Sequence, residues 1–243
     1  MELDLNGFRG NNETPVCHPA QAKAFILDWD GVLVDTRLNF KPLRQKYFEN
    51  IQTQGGRARS AASQSSLAPP RPPSGVFPLP VPLLEAAATL SEPLRGEVLA
   101  EIRGIEIEGA ERAAPVEGAK DLIAWLTGRL RPWAVVSRNC LDSITLAAER
   151  CGIDLPSVLL SREDPYVKPD PRALTLAAEK LGVNLSDCVM VGDFVYDLQA
   201  ARNAGIPSVL VRGSGAEWEC LADFSYPSVK DFVEALETFA PRP

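Results

Sequence analysis

From Lys23 onward the chain alternates short apolar runs with segments of helical period. The runs are AFIL ending at Asp28, WAVV ending at Ser137, SVLL ending at Ser161, CVMV ending at Gly192 and SVLV ending at Arg212. Runs this apolar predict strands buried on both faces of a sheet. Between them lie Asp121 to Thr127 before Gly128, Leu141 to Cys151 before Gly152, Ala173 to Leu181 before Gly182, and Leu198 to Ala204 before Gly205. A glycine just past the last periodic residue is a helix C-terminal signal. Asp170-Pro171 supplies an N-cap followed by a first-turn proline. Strands separated by helices predict an α/β fold, a parallel sheet with helices on both faces.

The interval from about Thr36 to Pro115 breaks this rhythm. Arg37 to Ile51 and Ser91 to Arg112 read as helices, the second with Leu94, Val98, Ile102 and Ile105 near one face; Leu83 to Leu90 reads as a shorter one. Gly55 to Pro82 is low in complexity, free of acidic residues, and holds seven prolines from Pro69 to Pro82. It reads as a linker or extended loop. Its PPRPP core has the form of a polyproline ligand, although Pro-rich loops commonly arise without partners, and the plain-loop reading outweighs a docking role.

Charge narrows the chemistry. The 243 residues carry 25 Lys+Arg against 32 Asp+Glu, a formal net of −7, with one histidine. An acidic chain is a poor match for nucleic-acid phosphates. A single histidine excludes multi-His zinc sites and makes any His-dependent triad rest on His18, which lies in a polar, Pro-flanked stretch and is expected to be a solvated tail residue. The acidity is uneven: residues 37 to 82 carry seven Lys/Arg and one Glu, a net of +6, so the rest sums to −13. Five cysteines without a CxxC pair fit a reducing compartment, with Cys188 inside a buried run. MELDLNGFRGNNET has neither a signal-peptide core nor an Arg-rich amphipathic helix, and no run approaches transmembrane length. The expectation is a cytoplasmic protein without a membrane partner.

Ligands of open parallel sheets bind beyond the carboxyl ends of the strands. Those ends here carry Asp28 and Asp30, then Ser137-Arg138-Asn139, then Lys168 in the following loop, then Asp193 and Asp197. Asp28 and Asp30, two apart on extended chain, point to one side about 6–7 Å apart. One can attack a centre while the other reaches its leaving group, and Gly31 permits the turn that lets both face it. Asp193 and Asp197 share a helical face, and hard cations such as Mg²⁺ take such oxygen ligands. Each feature has a plain alternative: an acidic turn, an N-cap with a solvated acid, a loop lysine, a serine cap. Their meeting at one sheet edge favours a metal and phosphate site.

DWDGVLVDT, the VVSRN strand end, VKPDP and GDFVYDLQAARNAG together resemble the four motifs, in order, of the haloacid dehalogenase-like (HAD) phosphohydrolase superfamily. The likeness covers Lys23 to Asp35 and about Val116 to Val211, and its first and last motifs are the specific ones. It implies a Rossmann-like core from residues 21–35 and 116–243, a small helical cap inserted at 36–115 with the Pro-rich loop at 55–82, and a disordered tail at 1–20. Asp28 would then be the nucleophile that forms an aspartyl-phosphate, and Asp30 the general acid and later base. Ser137 and Arg138 would bind the phosphoryl group and Lys168 would neutralise it. Mg²⁺ would be held by Asp28, the backbone carbonyl of Asp30 and Asp193, with Asp197 in support. Asp30 argues against a dehalogenase, and the DKTGT of P-type ATPases is absent. The resemblance implies a phosphatase of the phosphoglycolate-phosphatase-like branch with a reduced cap, acting on a small phosphorylated metabolite. A phosphomutase and a non-catalytic metal-binding module are the alternatives. Lys41 and Arg44 on the first cap helix either reach a second anionic group of the substrate or form a solvated face. Cys140, near a helix N-terminus, is a candidate for a lowered pKa and redox sensitivity.

Overall fold

The computed structural model describes residues 18–49, 83–212 and 218–239. The Pro-rich stretch 55–82 and residues 1–17 of the expected tail, Cys17 included, lie outside the described residues, as do positions 50–51 of the first predicted cap helix. The chain divides into two compact units, residues 38–106 and the remainder.

The larger unit is built on a six-stranded parallel sheet. Its strands are β1 (Ala24–Leu27), β4 (Trp133–Val136), β5 (Val158–Leu160), β6 (Cys188–Gly192), β7 (Ser208–Val211) and β8 (Phe224–Tyr226), in the order β5-β4-β1-β6-β7-β8. A separate antiparallel pair, β2 (Val34–Asp35) and β3 (Ala114–Pro115), brackets the insertion. The apolar runs are explained by burial on both faces. Phe25 and Leu27 point into one core with Leu122, Ile144 and Phe232, while Ala24 and Ile26 point into another with Leu174, Ala177 and Ala200. The first face is covered by helices Ala119–Gly128, Leu141–Cys151 and Val229–Phe239, the second by Arg172–Leu181 and Val195–Ala204. Each large apolar side chain removed from water in this way contributes about 1.5–3 kcal/mol.

The order of strand addition reverses about β1: β4 and β5 are laid down on one side, β6 to β8 on the other. Asp28 follows β1 and Asp193 follows β6, so the two carboxylates flank the point where doubly wound sheets open a crevice. The Asp28 N–H bonds the Val191 carbonyl at 2.9 Å, which fixes the depth of the first loop against β6.

The smaller unit has its own apolar cluster. Leu43 from helix Lys41–Arg44 packs with Leu83 and Ala87 of Leu83–Ala88, and with Val98 and Ile102 of Leu94–Ala110. Lys46 Nζ and Tyr47 Oη both reach Glu101, at 2.5 and 2.6 Å. The first helix is shorter than its pattern predicts, with one turn of α-helix followed by a π-turn at Gln45–Glu49. The unit also ends before Pro115, because Ala110 and Ala113 are buried in the larger unit's core and residues 114–115 pair with 34–35.

Two other expectations change. His18 is not a solvated tail residue: its ring stacks on Phe239 at 4.0 Å and meets Phe224 edge-on, and burial holds its pKa below the ordinary value. Its Nδ1 accepts the Ala20 N–H and starts the turn Pro19–Gln21. Gly152, Gly182 and Gly205 do end helices in the left-handed conformation, but Gly128 remains helical and the left-handed residue is Leu130, at φ +52°. The Leu130 and Arg131 N–H groups close the helix on Thr127 and Leu126.

Leu130 is 90% exposed, so it gains little from packing while an L-residue at that φ costs about 1–2 kcal/mol. Leu130→Gly is expected to stabilise the protein by up to about 1 kcal/mol after the extra unfolded-state entropy of glycine is deducted. Urea denaturation checks this, and a destabilised variant would contradict it.

Candidate active site

The chain after β1 turns at once. Gly31 takes φ +81°, and the Trp29 carbonyl accepts the N–H groups of both Leu33 and Val34, which folds residues 29–34 into one tight loop. A Cβ on Gly31 would lie 2.1 Å from Asp193 Oδ2, so only glycine lets this loop close against β6. The loop returns Thr36 to Asp30: the Thr36 N–H donates to Oδ1 at 3.0 Å and its hydroxyl to Oδ2 at 2.5 Å. Both oxygens of Asp30 are thereby oriented. Thr36 is 2% exposed and sits just past β2. It lies within the DWDGVLVDT segment, and a threonine six positions after the second aspartate was its only sequence signal.

Asp28 accepts the Trp29 N–H at 2.7 Å and the Lys168 ammonium at 2.7 Å. Lys168 also meets Asp197 Oδ1 at 2.5 Å, and is itself 1% exposed. Asp197 Oδ2 accepts the Phe194 N–H, so one carboxylate caps the helix Val195–Ala204 and anchors the ammonium. Room for this comes from Gly192, where a Cβ would lie 2.3 Å from the Asp197 side chain. Gly192 is therefore a site residue that strand patterning reads only as the end of an apolar run.

The remaining expected residues fall as follows. Ser137 is buried, and its hydroxyl accepts the Asn139 N–H at 3.1 Å; the helix behind it starts at Leu141 with Cys140 as N-cap, so Ser137 is not that helix's cap. Arg138, expected among the phosphate-binding groups, is turned to protein: its guanidinium donates to the Lys168 carbonyl and lies 4.6 Å over the Tyr196 ring. Cys140 is fully buried. The Trp29 indole is buried in the core with no hydrogen-bond partner for its Nε1 among the described residues, and it is the Trp29 backbone N–H that donates to Asp28. Lys41 and Arg44 belong to the smaller unit, Lys41 exposed and Arg44 half-buried, with Leu43 between them turned into that unit's core. Arg212 reaches Asp193 Oδ2 with Nη1 at 3.3 Å. It stands at the end of β7, the one strand end in the pattern to which the sequence assigned no chemistry.

One oxygen each from Asp28, Asp193 and Asp197 lies within 4.8 Å of the others. An all-oxygen set of this size, closed by glycine at Gly31, fits a hard divalent cation of the Mg²⁺ kind. Electrostatics point the same way. Burial pushes Asp193 well above the usual carboxylate range, and the charges of Asp28, Asp197 and Asp30 add to this against the opposing pull of Arg212. Burial and Asp28 push Asp197 up to about 6, opposed by Lys168. Asp30 is raised mainly by burial, partly offset by its bonds from Thr36. Burial would lower Lys168, but Asp197 and Asp28 outweigh it and hold the ammonium charged. The site carries more negative charge than its own cations balance.

A carboxylate set with one buried ammonium thus lies at the switch point of a doubly wound parallel sheet. The chain belongs to the haloacid dehalogenase-like hydrolase family, whose model matches residues 22–205. It is 27% identical over 214 residues to a phosphoglycolate phosphatase of Xylella fastidiosa, covering 86% of this chain and 84% of that one. It is also 27% identical over 205 residues to an N-acetylmuramic acid 6-phosphate phosphatase of Pseudomonas aeruginosa, covering 78% and 81%. Among solved structures it resembles a hydrolase from Pseudomonas syringae (TM-score 0.64, 19% identity, covering 89% of this chain and 99% of that one). It also resembles CbbY from Rhodobacter sphaeroides in complex with phosphate (TM-score 0.58, 18% identity, 89% and 99%). No helix among the described residues is long and apolar enough to cross a membrane.

An acid whose pKa is higher in the fold than in the unfolded chain opposes folding once ionised. The unfolded Asp pKa is about 3.9, so metal-free protein is expected to lose stability as pH rises from there to about 6, the folded value of Asp197. Asp193→Asn removes part of this repulsion. In EDTA at pH 7 it should raise Tm by about 2–4 °C, the shift that ~1 kcal/mol gives in a domain of this size. A thermal melt showing an unchanged or lower Tm would contradict this electrostatic account.

Proposed function

We propose that this hydrolase is a Mg²⁺-dependent phosphatase of small phosphomonoesters, phosphoglycolate-like or sugar phosphates, working through an aspartyl-phosphate on Asp28. The observation that carries the reading is the pairing at the first loop: Asp28 held by a buried ammonium at 2.7 Å, and Asp30 two residues on, oriented by Thr36 through both oxygens. The phosphatase names of the Xylella and Pseudomonas relatives, and the phosphate in the CbbY complex, support the substrate class.

Asp28 and Asp193, with the Asp30 backbone carbonyl, would hold Mg²⁺, while Asp197 stays with Lys168. The cation supplies charge that offsets repulsion between an anionic nucleophile and an anionic phosphate. Lys168 offsets the same repulsion from the other side of Asp28 and keeps the carboxylate from turning away. In the first half-reaction an Asp28 oxygen bonds phosphorus and the bond from phosphorus to the leaving oxygen breaks. Asp30 gives that oxygen its proton, and its raised pKa suits the donor role. In the second, Asp30 takes a proton from water as the water oxygen bonds phosphorus and the Asp28 oxygen leaves. Two steps with a covalent intermediate replace one difficult displacement. Arg138 acts as a positioning residue that braces the Lys168 backbone, and Ser137, at the β4 end, would donate its hydroxyl to the phosphoryl group while accepting the Asn139 N–H.

A metabolite-panel phosphatase assay tests this. Phosphate release is expected to require Mg²⁺, to stop in EDTA, and to fall by at least ~10³-fold in Asp28→Asn. Activity surviving that substitution would sink the aspartyl-phosphate mechanism. Isomerised sugar phosphate without net phosphate release would identify a mutase, and folded protein that turns over no compound would favour a binding module.

A further inference from the structure

Arg212 is left without a role by the mechanism, yet it touches a carboxylate the mechanism needs. Its Nη1 lies 3.3 Å from Asp193 Oδ2, longer than the 2.7–2.9 Å typical of a charge-assisted bond, and its side chain is 70% exposed. Oδ2 is the same oxygen that abuts Gly31 of the nucleophile loop. The Arg212 backbone sits at φ +93°, a conformation suited to glycine. Only three non-glycine residues among those described have positive φ, and two of them, Arg37 and Arg212, line one cleft. Strained backbone of this kind concentrates at functional positions.

We propose that Arg212 is a tethered cation that neutralises Asp193 in the metal-free protein and competes with the divalent cation for it, so that this residue sets the metal affinity of the site. The inference rests on the reading that Asp193 is a metal ligand. Lys168 is already shared by Asp28 and Asp197, which leaves Asp193 to Arg212 among the described ion pairs. A divalent cation on Asp193 would place a second positive centre beside the guanidinium, and the exposed side chain is free to leave. The space to receive it is a cleft of about 370 Å³ lined by Gly31, Asp35, Arg37, Glu117, Arg212 and Ser228. Asp35 and Glu117 offer it other carboxylates. Their present partners are solvent-exposed ion pairs, Arg37 at 3.6 Å from Asp35 and Lys230 at 3.0 Å from a Glu117 side chain that is 79% exposed, and such pairs exchange at little cost.

The test is calorimetric titration of Mg²⁺ into substrate-free wild type, Arg212→Gly and Arg212→Lys. Glycine removes the charge and relieves the backbone, so folding is not at risk, and comparing loaded with metal-free protein cancels the backbone effect. Arg212→Gly is expected to bind Mg²⁺ about two- to fivefold more tightly, the upper part of the range that loss of an exposed competing ion pair gives. Arg212→Lys, which keeps the charge, should stay within about twofold of wild type. Equal or weaker binding by Arg212→Gly, with wild type binding normally, overturns the competition alone. Absence of Mg²⁺ binding by all three proteins overturns the metal reading and this inference with it.

Discussion

The site depends on one buried ammonium shared by two carboxylates. Lys168 has almost no contact with solvent, and its charge is held there only because Asp28 and Asp197 lie 2.7 and 2.5 Å away. Removing one partner of such a group leaves an uncompensated buried charge, at about 3–5 kcal/mol. Much of the local structure can be understood as serving this contact. Gly192 lacks the side chain that would displace Asp197, Asp197 is fixed by capping its own helix, and Arg138 holds the Lys168 backbone from the β4 side. Three segments far apart in sequence meet here because the order of strand addition reverses about β1.

The same constraint explains why the site is electrostatically unfinished. Asp28, Asp30, Asp193 and Asp197 crowd one edge, and Lys168 answers only two of them. Burial and mutual repulsion raise Asp30, Asp193 and Asp197. In the proposed mechanism, a raised acid at Asp30 beside an Asp28 engaged by Lys168 suits proton transfer at a leaving group. A raised acid cluster also favours whatever brings positive charge to it, whether a divalent cation, Arg212 or both in alternation. The chain's net charge of −7 is thus compatible with the anionic substrate proposed for this site.

Much of this was legible in sequence because it rests on short-range rules. Apolar runs marked five strands, since strands covered on both faces tolerate few polar residues, and glycine marked three helix ends correctly. The third strand of the sheet's far side, β8, is only three residues and reads Phe-Ser-Tyr, too short and too mixed to register. Leu130 replaced the expected glycine because the chain closes the helix on Leu126 and Thr127 whatever residue stands there. Near the strand ends, Asp28, Lys168, Asp193 and Asp197 stood out by their intrinsic chemistry, and the structure brings them together. Thr36 and Gly192 did not stand out, because one works by a hydroxyl and an amide aimed at a neighbour and the other by an absent side chain. Arg138 shows the converse: a charged residue at a strand end whose geometry commits it to protein groups. His18 was misread because polar flanks suggested solvent, while two phenylalanines more than 200 residues later supply its packing.

The central claim, that Lys168 binds the site together through its two carboxylates, is tested most directly by a double-mutant cycle on Lys168→Met and Asp197→Asn, read by urea denaturation. The account predicts that Lys168→Met alone destabilises by about 3–5 kcal/mol, and that the two changes together cost much less than their sum, with a coupling of at least about 2 kcal/mol. Additive effects, or a Lys168→Met protein as stable as wild type, would contradict it.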